Sequence, residues 1–486
     1  MNIAIIGSGV GGLSSAIRLV KKGHTVSVFE RNKTYGGKLG SLKLGRFSFD
    51  TGPSLLTMPH LIDELFTLHD ENPRDYFNYI KKDIHCKYFW DDGTTFTAFS
   101  DKNKYVEEAN RKFLVEKKPL FKYFLKSKKK YDLINKLFLY RPINKLSTFM
   151  NLDTLKALIN IKLFQLFSSL NKVNRRELSN DYMVQVLNRY ATYNGSSPYL
   201  TSGIMTIIQH LENYFGTHVC EGGMRQISKS LYDLCCKIGV KFHFNRSVDK
   251  IVIEDKTAKG LMVEDTFLEF DRIISNADVN LTYKELLNDK TYLPDKENMS
   301  SSAIIFFWGI SKEFKKLDLH NILFSNNYKE EFKKIFEENN LTDDPTIYIN
   351  ITSKDIKKVS PRGCENWFVM INSPKDNGQD WDKLKNNLRK NIIRKINKNF
   401  NVNIENHIVE EKVFTPKEIS INTNSYLGSL YGESSNSIFS PLKRHQNFSR
   451  KIKNLYFCGG TVHPGGGIPL CIMSSKIVSD LVEKSN

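Results

Sequence analysis

Three glycines near the start of the chain stand where phosphate chemistry needs them. Gly7, Gly9 and Gly12 form the spacing G-x-G-x-x-G within G-S-G-V-G-G, and Glu30 comes 23 residues after Gly7. Gly7 permits a tight turn, Gly9 lets backbone approach a pyrophosphate, and Gly12 lets a helix lie close on a strand. Ser8 and Gly11 complete the turn, where a helix N-terminus offers unpaired N–H groups to an anion. A carboxylate at position 30 can accept from a ribose diol and disfavours a 2′-phosphate, which argues against NADP.

The residues just after Glu30 separate FAD from NAD. They are Arg31, the run Gly36-Gly37-Lys38, and F-S-F-D-T-G-P-S with Gly52 and Pro53, none of which a nicotinamide dehydrogenase needs. At the other end of the chain Gly459-Gly460-Thr461 runs through His463 into Pro464-Gly465-Gly466-Gly467-Ile468-Pro469. Two glycine clusters, each between an apolar strand and a helix, suit a long dinucleotide whose isoalloxazine end requires its own cradle. FAD is the expected cofactor. His463 is a candidate for a role beside the flavin, with a structural histidine as the alternative. No metal centre is expected, because the seven cysteines are scattered without a C-x-x-C pair. Reduced core thiols and a reducing cytoplasm fit that pattern.

The elements that would position these groups are readable in outline. N-I-A-I-I, the glycine turn, L-S-S-A-I-R-L-V-K-K-G and H-T-V-S-V-F-E read as strand, turn, helix, strand, as in a buried parallel sheet. Residues from about 55 to 215 show mostly helical spacing. From Glu221 a capped helix ending at Gly239 precedes three strands, with a hairpin around Glu254 to Gly260, and 300–372 holds strands of another sheet. N-L-Y-F-C-G-G and the helix after Pro469 close the chain. The first strand begins within three residues of Met1, leaving no room for a signal peptide. No run reaches the ~18 apolar residues of a membrane span.

Lys and Arg total 71 against 53 Asp and Glu, a formal charge of +18. Between Asp101 and Asn180 there are 19 basic and 7 acidic residues, so +12 of the excess sits in 80 positions. Basic and aromatic residues interleave from Lys117 to Tyr131, and apolar runs come next, the first of them N-K-L-F-L-Y. An anionic bilayer, a nucleic acid or plain solvent would each suit such a surface. No nucleic-acid fold signature accompanies it.

G-S-G-V-G-G-L-S-S-A-I-R-L, E-R-N-K-T-Y-G-G-K, F-D-T-G-P-S-L-L-T-M-P, E-G-G-M and F-C-G-G-T-V-H-P-G-G-G-I-P-L together resemble the bacterial phytoene desaturase family of FAD-dependent carotenoid desaturases. R-Y-A-T-Y-N-G-S-S-P-Y, S-A-I-I-F-F-W-G-I and C-E-N-W-F-V-M-I-N look most like its hydroxycarotenoid 3,4-desaturase branch. The resemblance implies an α/β fold in which a Rossmann-like FAD-binding domain (1–75, 216–285 and 446–486) is interrupted twice. One interruption is a helical, basic, membrane-facing insertion (76–215), the other a mixed α+β substrate domain (286–445). It implies that the glycine turns, Glu30, Lys38 and Gly460 to Pro469 hold the cofactor, and that Val248 meets the adenine. Asp181 and Arg189 are the nearest matches to an acidic residue and an arginine that are candidate acid/base groups in relatives. Tyr190, Tyr193 and Asn194 are candidate partners for a substrate hydroxyl. The implied reaction dehydrogenates a C–C bond beside a polyene, with oxygen or a quinone as electron acceptor. Alternatives are phytoene or dehydrosqualene desaturation, a carotenoid isomerase or saturase, an amine oxidase, and an inactive flavin-bound membrane scaffold. A lipid-soluble substrate favours peripheral binding to the cytoplasmic membrane, with Lys126 to Lys130 expected to touch the anionic surface, and leaves no role for nucleic acid.

Overall fold

In the computed structural model, which describes residues 1–135, 152–292, 296–437, 440 and 444–484, the chain begins with a strand buried on both faces. Ile3 and Ile5 of Asn2–Ile6 enter one apolar layer, Ala4 and Ile6 the other. A central parallel strand must therefore be apolar at every position, which is why no alternation marks it. Its sheet has five parallel strands in the order Leu455–Phe457, Arg272–Ser275, Asn2–Ile6, Thr25–Glu30 and Lys241–Phe244. Helices Val10–Lys21, Arg225–Lys237 and Ile468–Glu483 cover one face. The other face packs on the three-stranded antiparallel sheet formed by Lys250–Glu254, Thr257–Val263 and Thr266–Glu269. A Cβ on Gly12 would lie 2.2 Å from the Gly7 carbonyl oxygen, so only glycine lets the first helix start this close to its strand.

The second sheet has seven strands in the order Ile408–Phe414, Ser302–Ile310, Glu365–Ser373, Ile347–Ile351, His320–Leu323, Ile84–Phe89 and Thr95–Phe99. Every neighbouring pair is antiparallel except His320–Leu323 beside Ile84–Phe89. Ile304, Phe306, Trp308 and Ile310 pack in one core with residues of helix Trp381–Phe400. Ala303, Ile305 and Phe307 take the opposite face with Phe47 and Phe49.

Helices Lys102–Phe113, Lys117–Ile134, Asp181–Asn188 and Thr206–Phe215 lie over the Cys86 and Tyr88 side of that sheet, and several share a core with it, while Leu152–Ile159 packs on Lys117–Ile134. Within 76–215, which reads as mostly helical in sequence, the structure adds strands near the start. Tyr79–Lys81, Ile84–Phe89 and Thr95–Phe99 are strands, because Cys86, Tyr88, Phe96 and Ala98 alternate and Gly93 closes a hairpin between the last two. The apolar run at 136–140 lies outside the described residues. Among the described residues no helix is long and apolar enough to cross a membrane.

Candidate active site

A cavity of about 910 Å³ runs from the first glycine turn to the second sheet and the inner side of the helices. That is at the upper end of the ~300–1,000 Å³ usual for ligand sites. Gly7, Gly9, Gly11, Glu30, Arg31, Gly36, Gly37, Lys38, Gly52, Pro53 and Val248 line one end. Gly460, Thr461, Gly467, Ile468 and Pro469 approach the same space from the C-terminal turn. Ser8 and Gly12 stand behind the wall: Ser8 donates to Glu30 Oε2 through its N–H at 3.0 Å and its hydroxyl at 2.8 Å. Asn32 donates to the other oxygen through its N–H and its amide, both at 2.9 Å. Glu30 is thereby held in one orientation at the cavity edge.

Two helix N-termini meet this cavity, at Gly9 and at Gly467, and neither carries a side-chain cap. Their first N–H groups are open to an anionic or electron-rich ligand. A Cβ on Gly467 (φ +112°) would meet nothing within 4 Å, so the glycine opens directly onto space. Lys38 donates to the Leu430 carbonyl at 2.8 Å; burial lowers its pKa against the raising pull of Asp278 and Cys471. Asp278, also lining the cavity, is raised by burial while accepting from the N–H groups of Tyr426 and Asn280. This arrangement fits a dinucleotide with a ribose at Glu30, a pyrophosphate over Gly9 and a polar ring against Gly467.

The other end is built on alternate positions of the second sheet. Ile305, Phe368, Met370, Tyr348, Ile322 and Cys86 present one apolar wall. Met205, Ile207, Ile208, Leu211 and Tyr131 close it from the helices. Arg189 reaches this wall, buried and 3.5 Å from Glu212. Tyr190 donates to Glu212 at 2.7 Å, Tyr193 does so at 2.5 Å, and Arg189 donates to the Tyr193 oxygen at 2.8 Å. Burial would lower the Arg189 pKa, but Tyr193, Tyr88 and Glu212 outweigh it and leave it well above its ordinary value. Burial pushes Glu212 up, Arg189 leads the opposing pull, and the net is a lowered pKa. Arg189 is thus a fixed cation, unable to act as an acid or base. The hydroxyl protons of Tyr190 and Tyr193 are spent on Glu212.

Two sequence candidates fall elsewhere. Asp181 is corrected: its side chain is 77% exposed and pairs with Arg175 at 2.6 Å. It occupies the first turn of a helix capped by Asn180, where an acid complements the helix dipole. His463 is buried outside the cavity wall, its N–H bonded to His445 and its carbonyl accepting from Asn447.

Spacing alone did not single out Glu212, His85, His320, Tyr348 or Asn276. Asn276 underlies the first glycine turn and donates to the Gly7 carbonyl. Glu212 shares a helix face with Ile208 and Phe215, and a charge on an apolar stripe is the signal that marks it.

The sequence model of the family described as flavin containing amine oxidoreductase matches residues 10–482. A 1-hydroxycarotenoid 3,4-desaturase of Flavobacterium sp. (strain P99-3) is 49% identical over 99% of both chains. A 4,4'-diaponeurosporene oxygenase of Staphylococcus aureus (strain bovine RF122 / ET3-1) is 31% identical over 99% of this chain and 98% of that one. Among solved structures, an oxidoreductase from Methanosarcina mazei superposes with a TM-score of 0.64 at 17% identity, covering all of both chains. With a flavin cradle joined to an apolar wall, the chain belongs to the flavin-containing amine oxidoreductases and, within them, to the FAD-dependent carotenoid desaturase family.

Proposed function

We propose that the protein introduces the 3,4 double bond into a 1-hydroxycarotenoid taken from a bilayer. The observation that carries this is the cavity that joins an uncapped dinucleotide cradle to a long apolar wall. The 49% identity to a relative named for that reaction supports the substrate.

The Gly7 to Gly12 turn, Glu30, Gly36 to Lys38, Gly52, Pro53, Val248 and the Gly460 to Pro469 turn would hold FAD. Bound there, FAD supplies a two-electron acceptor for hydride from a saturated carbon beside the polyene. The protein's share is placement. Ile305, Ile322, Phe368 and Met370 hold a rigid polyene in a water-poor channel, where alignment rather than a nucleophile accounts for the rate. The second hydrogen leaves as a proton, and His85 is the base in position. It lines the cavity with Nε2 unpartnered among the described residues, Nδ1 lies 2.7 Å from the Thr217 hydroxyl, and burial lowers its pKa and keeps it neutral. With Nδ1–H donating to Thr217, Nε2 can accept. Oxygen or a quinone takes the electrons afterwards.

Access is from the membrane. Lys118, Lys122, Leu125 and Lys129 form one exposed stripe on helix Lys117–Ile134, while Leu120, Tyr123, Phe124 and Tyr131 of the same helix face inward. Next to it stand the helices Leu152–Ile159 and Ile161–Phe164, with Ile159 74% exposed and Ile161 45%. Lysines over protruding apolar side chains match an anionic headgroup layer.

The test supplies holoenzyme with vesicles carrying either a 1-hydroxycarotenoid, its hydrocarbon analogue or phytoene. Faster conversion of the hydroxylated chain, with one added double bond, is expected. Conversion of phytoene alone would sink the assignment.

A further inference from the structure

His320 stands on the cavity wall, 3% exposed, with one ring nitrogen engaged and the other not. Its Nδ1 lies 2.7 Å from the Tyr348 hydroxyl and 3.2 Å from the Asn350 amide nitrogen. That amide also donates to the Leu319 carbonyl at 3.0 Å, which fixes its nitrogen toward the ring. An amide nitrogen only donates, so Nδ1 is the acceptor and a neutral ring carries its proton on Nε2. Burial lowers the His320 pKa to about 4 and keeps the ring neutral. The Nε2–H has no partner among the described residues. A buried donor left unpaired is costly unless a ligand acceptor meets it, and His320 lines the ligand cavity.

The position along the cavity narrows that acceptor. The Tyr348 oxygen is 2.7 Å from the Ser54 hydroxyl, and Ser54 comes directly after Gly52 and Pro53 at the cofactor end. Each donor in the chain is used once, with Ser54 donating to Tyr348 and Tyr348 to Nδ1. The unspent Nε2–H therefore belongs to a polar chain that starts at the cofactor end of the cavity, where the redox centre would be held. In a 1-hydroxycarotenoid only C1 and C2 separate the hydroxyl oxygen from the 3,4 bond, so whatever recognises the hydroxyl must stand near that centre. Tyr190 and Tyr193 have already given their protons to Glu212.

We propose that His320 Nε2–H donates to the substrate hydroxyl and selects a hydroxylated polyene over its hydrocarbon analogue. This rests on the substrate assigned above. Ile322, two residues along the same strand, then meets the chain beyond the hydroxyl.

The experiment compares wild type, His320→Leu, His320→Phe and His320→Gln as flavin-loaded enzymes. Anaerobic flavin reduction is timed with the hydroxylated and the hydrocarbon chain at equal mole fraction in vesicles. Leu and Phe both lack the donor, so either one that retains flavin suffices. Relative to the hydrocarbon, the rate on the hydroxylated chain should fall about 10-fold or more in Leu or Phe. Gln, whose amide nitrogen donates from about the Nε2 position, should retain most of the preference. Equal slowing on both substrates, or preference intact in Leu and Phe, would overturn the role of His320. Absence of preference in the wild type would instead overturn the substrate assignment itself.

Discussion

At the scale of single residues, position 181 and position 85 make opposite claims about where proton chemistry occurs. Asp181 has its carboxylate in solvent beside Arg175, while His85 sits in the cavity wall with a ring nitrogen unpartnered among the described residues. Asp181→Asn should leave anaerobic flavin reduction unchanged and shift stability by no more than about 1 kcal/mol, the scale of a first-turn helix charge. His85→Gln should slow the same step by about 10²-fold or more, as loss of a general base does. The pH dependence has a definite sign. Burial lowers the His85 pKa below its ordinary 6.5, so the neutral base persists from alkaline pH down past 6.5, and the rate should fall only on further acidification. A rate that falls already above pH 6.5, or survives His85→Gln, would remove His85 from the reaction.

At the scale of elements, the helix Lys117–Ile134 carries the proposed contact with a bilayer. Lys126 to Lys130 was the expected contact, but Lys126 pairs with Glu177 at 2.6 Å and Lys128 with Asp132 at 2.6 Å. Lys130 is buried, donating to Gln165, Thr206 and the Gly203 carbonyl. The solvent stripe of Lys118, Lys122 and Lys129 remains. Changing these three to Gln should weaken sedimentation with anionic vesicles by about 100-fold, at about 1 kcal/mol per lysine. Binding as tight as wild type would assign the stripe to solvent alone. A run of lysines read along the chain cannot distinguish faces of a helix, which is why the patch was visible in the sequence and its exposed stripe was not. The glycine turns were readable for the converse reason. They are local, and a Cβ at Gly12 or Gly52 would collide with backbone 2.2 or 1.8 Å away. The strands Ile84–Phe89 and Thr95–Phe99 were hidden because their alternation covers a few residues between helical segments. His320, Tyr348 and Ser54 meet only through sheet pairing and a crossing loop, so no spacing announces them.

At the scale of the whole molecule, charge, access and chemistry should separate under salt. The formal +18 is concentrated as +12 between Asp101 and Asn180, in the unit whose inner residues, Tyr131, Ile208 and Leu211, close the cavity. A polyene leaving lipid for an apolar channel gains little, because both surroundings are hydrocarbon. On the proposed membrane route, docking would therefore come from headgroup electrostatics and the exposed apolar side chains, while the reaction would proceed in a buried cavity that salt screens far less. The Debye length shortens from about 10 Å at ~0.1 M salt to about 3 Å at ~1 M. Over that range, initial desaturation of a carotenoid in anionic vesicles should drop steeply, whereas flavin reduction by the same carotenoid in neutral detergent should hardly change. Equal loss in both media would place the salt sensitivity in the active site. Equal indifference would mean that the basic unit does not deliver the substrate, and the cavity would need another entrance.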